Sequence, residues 1–182
     1  MKTQRLKEII TQKSFKTGNF ILASGAKSNY LFDLKTTLLD PEGANLAADL
    51  ILAKITNNIM AIGGVELGAC PIVSAVCVKS HLINRPIKSF YVRKAKKDRG
   101  TNQLIEGCSL IPGEEVIIVE DVTTTGNSAM QAVKIVREQG AIVKQVFSIV
   151  DRLEGAQKNM IAEGINLSAL FTKDDFEIIN SV

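Results

Sequence analysis

Residues 116–128, VIIVEDVTTTGNS, set Glu120 and Asp121 directly after four apolar β-formers and follow them with Val122, Thr123, Thr124, Thr125, Gly126, Asn127 and Ser128. An ionised carboxylate can only accept hydrogen bonds, so the two acids suit a ligand that offers hydroxyls, such as the vicinal pair of a ribose. The threonine hydroxyls donate. A short strand-to-helix turn through glycine also leaves backbone amides unpaired at the positive end of a helix dipole, where phosphate is the usual occupant. Phosphate on the turn and a diol on the acids together describe a ribose 5-phosphate. The turn matches neither the Gly-Lys-Ser/Thr nor the Gly-x-Gly-x-x-Gly phosphate loop. A helix start that merely caps itself with Thr and Asn is the competing reading of TTTGN alone. Two acids behind an apolar strand weigh against it.

Three further groups could do chemistry. Arg93, Lys94, Lys96, Lys97 and Arg99 lie within seven residues and end at Gly100. Such a charge run is most often a solvated face, but this one leaves a strand directly and enters DRGTN, a stretch suited to a mobile loop. Arg152 closes an apolar strand as Val-Asp-Arg, where it is either a salt-bridge partner or a bidentate anchor for a ligand carboxylate. Gly63, Gly64 and Gly68 in GGVELGA either form an ordinary tight turn or admit a ligand close to the backbone. Cys70, Cys77 and Cys108 have no metal-ligand spacing, and the single histidine, His81, does not complete a zinc set. Free thiols and a surface or interface histidine are expected.

These groups need a scaffold that collects strand ends. Residues 3–13 read as a helix with Leu6, Ile9 and Ile10 on one face. Residues 20–35 read as extended, with a break at Ser24-Gly25. Residues 40–55 read as a helix with Asp40 as cap and Pro41 in its first turn. Its apolar stripe is Leu46, Leu50 and Ile51, with Ala47 and Ala53 at the edges. Strands are expected over 59–64, 88–94, 115–121 and 142–151, with helices beginning near Pro71 and near Ser128. The second of these helices buries Ala129, Ala132, Val133 and Val136 and stops at Gly140. The 115–121 strand is apolar on both faces, the pattern of a central parallel strand. This alternation predicts an α/β fold with an open, mostly parallel sheet flanked by helices, whose ligands gather beyond the carboxyl ends of the strands.

The 182 residues suit one domain, taken as 1–182, and 46% hydrophobic with 23% charged residues is ordinary for a globular chain. A net charge of +3 is too small to argue for nucleic acid. No apolar run approaches the ~20 residues of a membrane span, and the first residues lack the apolar block of a secretory signal. A cytoplasmic protein that binds neither nucleic acid nor membrane is expected.

VIIVEDVTTTGNS resembles the phosphoribosyl pyrophosphate (PRPP) motif of the type I phosphoribosyltransferases. ILASGAKSNYLFDLK, GGVELGACPIVSAV, YVRKAKKDRGTNQLIEG, SIVDRLEGA and LFTKDDF, in that order, are similar to segments of the orotate branch of that family, over about residues 6–176. The resemblance implies the type I fold with a small N-terminal hood, and transfer of the 5-phosphoribosyl group from PRPP to orotate. It implies PRPP contacts from Arg93, Lys94, Lys97, Arg99 and residues 120–128, with Lys94, Lys97, Arg99 and Asp121 as the catalytic set. Thr124, Arg152, Lys27 and Phe32 would meet orotate, with Tyr30 as a further polar candidate, and GGVELGA would lie on the pyrophosphate side. Magnesium would be carried by PRPP, with no metal site on the protein. A homodimer is implied in which loop 94–104 enters the neighbouring active site. Two departures stand out: Arg99 replaces the family's usual histidine, and Ala23 replaces a lysine found in some members.

Overall fold

The computed structural model describes residues 1–21, 25, 27–95 and 103–177. Helix α1 (Lys2–Lys13) opens the chain and buries Leu6, Ile9 and Ile10, the stripe its spacing predicts. Next comes an antiparallel hairpin, β1 (Phe15–Ile21) with β2 (Lys27–Phe32), in the register Phe15↔Phe32. The segment expected to be simply extended is therefore the second half of a hairpin that begins five residues earlier. It leads into a short helix, α2 (Lys35–Leu38). In α3 (Pro41–Lys54), Asp40 Oδ1 accepts from the amides of Glu42 and Gly43, each at 3.1 Å. Its buried stripe is Leu46, Ala47, Ala48, Ile51 and Leu52. Leu46, Ala47 and Ile51 are buried as expected, but Leu50 is only half-buried and Ala53 is exposed, because the helix packs on both α1 and α4 and its buried stripe shifts toward Ala48 and Leu52.

Strands β3 (Ala61–Val65), β4 (Lys88–Val92), β5 (Ile105–Gly107), β6 (Glu115–Thr123), β7 (Ile142–Asp151) and β8 (Asn166–Thr172) form one sheet in the order β5-β4-β3-β6-β7-β8. All neighbours are parallel except β4 and β5. Helices α4 (Cys70–Leu82), α5 (Asn127–Glu138) and α6 (Ala156–Ile161) connect them. The expected open, mostly parallel sheet is present. β6 is central, and its period of two sends Ile117 and Val119 into one core, with α1, α3, α4 and the hairpin. Val116 and Ile118 go to the other, against α5 and α6. Strand β4 stops at Val92, two residues short of its expected end, and β6 runs two residues further than expected. No helix among the described residues is long and apolar enough to cross a membrane.

Candidate active site

The turn between β6 and α5 does not cap its own helix with a side chain. Gly126 is the N-cap of α5 with φ +82°, a left-handed conformation that favours glycine, and no side chain caps the helix. Thr125, Asn127 and Ser128 are exposed, so the first amides of α5 are offered outward rather than self-capped. Thr123 is buried; its hydroxyl donates to Glu120 Oε2 at 3.1 Å. Its carbonyl accepts from the Arg152 amide at 2.9 Å, which stitches this turn to the one after β7. Asn159 Nδ2 donates to the Thr125 carbonyl at 3.0 Å and ties the turn to α6.

Glu120 and Asp121 are half-buried neighbours on β6, so they leave the strand on opposite faces near its carboxyl end. Burial pushes Glu120 up to about 7; the Thr123 bond and the Lys94 charge oppose this, and Asp121 adds to it. Burial also raises Asp121, against the Val122 amide that donates to Oδ1 at 2.9 Å and the charge of Lys35. Carboxylates so placed gain from donors arriving with a ligand.

The basic segment is anchored where β4 ends. Arg93 Nη1 stands 3.9 Å from Glu66 and 4.0 Å from Glu106, and the Lys94 amide donates to Glu66 Oε1 at 3.1 Å. The Arg93 amide donates to the Leu104 carbonyl at 2.8 Å, closing the two feet of the segment together. Lys94 is exposed, and its charge reaches Glu120. Lys97 and Arg99, like Ala23, lie outside the described residues.

Arg152 is 5% exposed and its guanidinium carbon sits 4.5 Å from the centre of the Tyr30 ring. Nη2 donates to Ser28 Oγ at 3.3 Å and Nε lies 2.8 Å from Glu154 Oε1. These residues and Lys27 line a cleft of about 860 Å³ under the hairpin. Phe32, also expected at orotate, is buried, its ring 4.9 Å from that of Phe15, 5.0 Å from that of Phe176 and 5.7 Å from that of Tyr30. The aromatic face of this hairpin that meets Arg152 is Tyr30. Two of the glycines, Gly63 and Gly64, lie within β3 itself. A β-carbon on Gly63 would lie 2.1 Å from the Phe90 ring, and one on Gly64 would lie 2.2 Å from the Val119 carbonyl oxygen. The close approaches there are made by the protein's own sheet.

Sequence reasoning missed Ser28, Glu66 and Glu154. Glu154, two residues past Arg152 in a glycine turn, carried a local signal; the other two reach their partners only through the fold. The cysteines are free, and His81 is exposed, as expected.

Residues 36–165 match the family model of the phosphoribosyl transferase domain. An orotate phosphoribosyltransferase of Bradyrhizobium diazoefficiens is 46% identical over 176 residues, 94% of each chain. One of Methanocaldococcus jannaschii is 46% identical over 160 residues, 88% of each chain. The orotate phosphoribosyltransferase of Mycobacterium tuberculosis, solved in complex with PRPP, superposes with a TM-score of 0.78 at 33% identity, covering 96% of this chain and 98% of that one.

Proposed function

This chain belongs to the orotate phosphoribosyltransferases, within the phosphoribosyl transferase domain family, and on that premise we propose how its residues divide the work. The enzyme transfers the 5-phosphoribosyl group from PRPP to orotate, giving orotidine 5′-monophosphate and pyrophosphate in pyrimidine synthesis. The uncapped start of α5 supports the reading most strongly: free amides, Thr124, Thr125, Asn127 and Ser128 receive the 5-phosphate, and Gly126 lets the turn form. Glu120 and Asp121 accept from the ribose hydroxyls. Arg152, held over the Tyr30 ring, pairs with the orotate carboxylate, with Lys27 on the same cleft wall and Thr124 beside the stitched turn.

Bond breaking at the anomeric carbon leads bond making, so the ribosyl group gains positive charge and pyrophosphate gains negative charge. Arg93, Lys94, Lys97 and Arg99 counter the second, while Asp121 and Glu120 counter the first. Arg99 binds anions permanently and does not serve as a proton donor near neutral pH. No covalent nucleophile is required; positioning and electrostatics carry the reaction. Magnesium enters with PRPP as part of the substrate. The donor set fits that route: Glu120 and Asp121 leave β6 on opposite faces, so the two carboxylates do not converge on one ion. The ion supplies charge for the departing pyrophosphate. We further propose one domain over 1–182, a cytoplasmic location, and a homodimer in which loop 94–104 closes on the neighbouring site.

The test is orotate absorbance on mixing with PRPP and magnesium. A PRPP-dependent loss of signal that falls ~100-fold or more in Arg152→Ala supports both the reaction and the anchor. An unchanged rate in Arg152→Ala would remove the anchor.

A further inference from the structure

We infer that Gly68 is a positioning residue: the space left by its missing side chain is the seat of the Asp121 carboxylate. The inference rests on the reading above, in which Asp121 meets the ribosyl group. β3 and β6 pair as Ala61↔Val116, Ile62↔Ile117 and Gly63↔Ile118. Beyond that ladder the chain turns through Glu66–Ala69 into α4 and passes the end of β6. A β-carbon on Gly68 would lie 2.4 Å from Asp121 Oδ1, 2.7 Å from Cγ and 2.8 Å from Oδ2. The whole carboxylate, not one edge of it, would have to move. Its other boundary is the Val122 amide, which donates to Oδ1 at 2.9 Å. The group is therefore confined between its own chain and a bare α-carbon.

Gly68 is not among the glycines with positive φ, so an alanine there meets no backbone strain. Its cost falls on Asp121. That separates Gly68 from Gly63 and Gly64, whose added β-carbons would strike Phe90 and the Val119 carbonyl inside the sheet. It also separates it from Gly126, where φ +82° alone requires glycine. Swinging the Asp121 carboxylate away breaks the Val122 bond and moves a negative charge off the ribosyl carbon. An error of that size at a reacting centre costs turnover and weakens the hold on the ribose of PRPP, while leaving orotate affinity alone.

Gly68→Ala, Asp121→Ala and the double variant test this. Gly68→Ala is expected to lower kcat by ~10–100-fold with the orotate KM changed less than ~2-fold. Its Tm should stay within ~3 °C of the parent, as befits a change without strain or a lost core contact. In the Asp121→Ala background, where the colliding group is gone, adding Gly68→Ala should alter kcat by less than ~2-fold. A parental kcat in Gly68→Ala overturns the seat. So do penalties that multiply in the double variant, since Gly68 would then act on the ligand directly. The same cycle is read from the thermal shift induced by PRPP. If the parent bound PRPP but consumed no orotate, the reaction assignment would fail, while coupling or additivity in that shift would still decide the seat.

Discussion

Glu120 carries a pH dependence with a definite sign. Its pKa is pushed up to about 7, largely by burial, from an ordinary 4.5. The folded enzyme thus holds a proton that the unfolded chain releases between these values, so stability falls as pH rises through that window. Asp121, also raised by burial, contributes with the same sign. Denaturant midpoints of the unliganded protein at pH 5 and pH 8 should show the loss. Glu120→Gln should flatten the difference by ~2 kcal/mol, less than the full shift because the side chain is only half-buried. A slope unchanged in Glu120→Gln would assign it elsewhere. At this scale the sequence disclosed what is local: the diacid, the threonines, Gly126 and Arg152 announce themselves by type and order. Ser28 was illegible because its Arg152 partner lies 124 positions away. Phe32 shares a strand face with Tyr30, and both rings enter one core with Phe15, a packing that strand period alone does not specify.

The start of α5 is the element on which phosphate recognition depends, and one backbone angle fixes it. Gly126→Ala must hold φ +82° with a β-carbon that would also lie 2.7 Å from Met160 Cε. A stability loss of ~1–2 kcal/mol is expected, with PRPP affinity falling at least ~10-fold as the amides are re-aimed. Calorimetric titration with PRPP and a denaturation curve check both; a loss of stability with unchanged affinity would mean that the turn does not hold the phosphate. Helices α1 and α5 were legible from sequence because period and burial agree, and β6 and β7 because short, continuous apolar runs are buried on both faces of the sheet. β5 has three residues and α6 has six, too few for any period to show, and β8 was not anticipated either. In α3 the helix was plain, and so were Leu46, Ala47 and Ile51 of its buried stripe; the shift from Leu50 and Ala53 toward Ala48 and Leu52 is set by two helices, α1 and α4, that the local pattern does not encode.

For the whole molecule, the proposed sharing of loops between subunits has a direct test. Lys97→Ala and Arg152→Ala each disable a site, but by different means. If the loop serves the neighbour, mixing the two inactive variants should restore up to ~25% of parental activity through heterodimers with one intact site. No recovery after subunit exchange would place each loop in its own site. The fold class and the order of its units were legible as a whole, since alternating buried strands and amphipathic helices admit few topologies. Subunit geometry is not written in any local pattern. Yet the clasp between the Arg93 amide and the Leu104 carbonyl sets a measurable bound on it. With the feet pinned together, the ten residues 94–103 can carry a tip no further than ~17 Å, five residues out and five back. A ligand atom met by the backbone of the basic segment must therefore lie within that radius of the clasp, a bound that each added pair of residues would extend by ~3.4 Å.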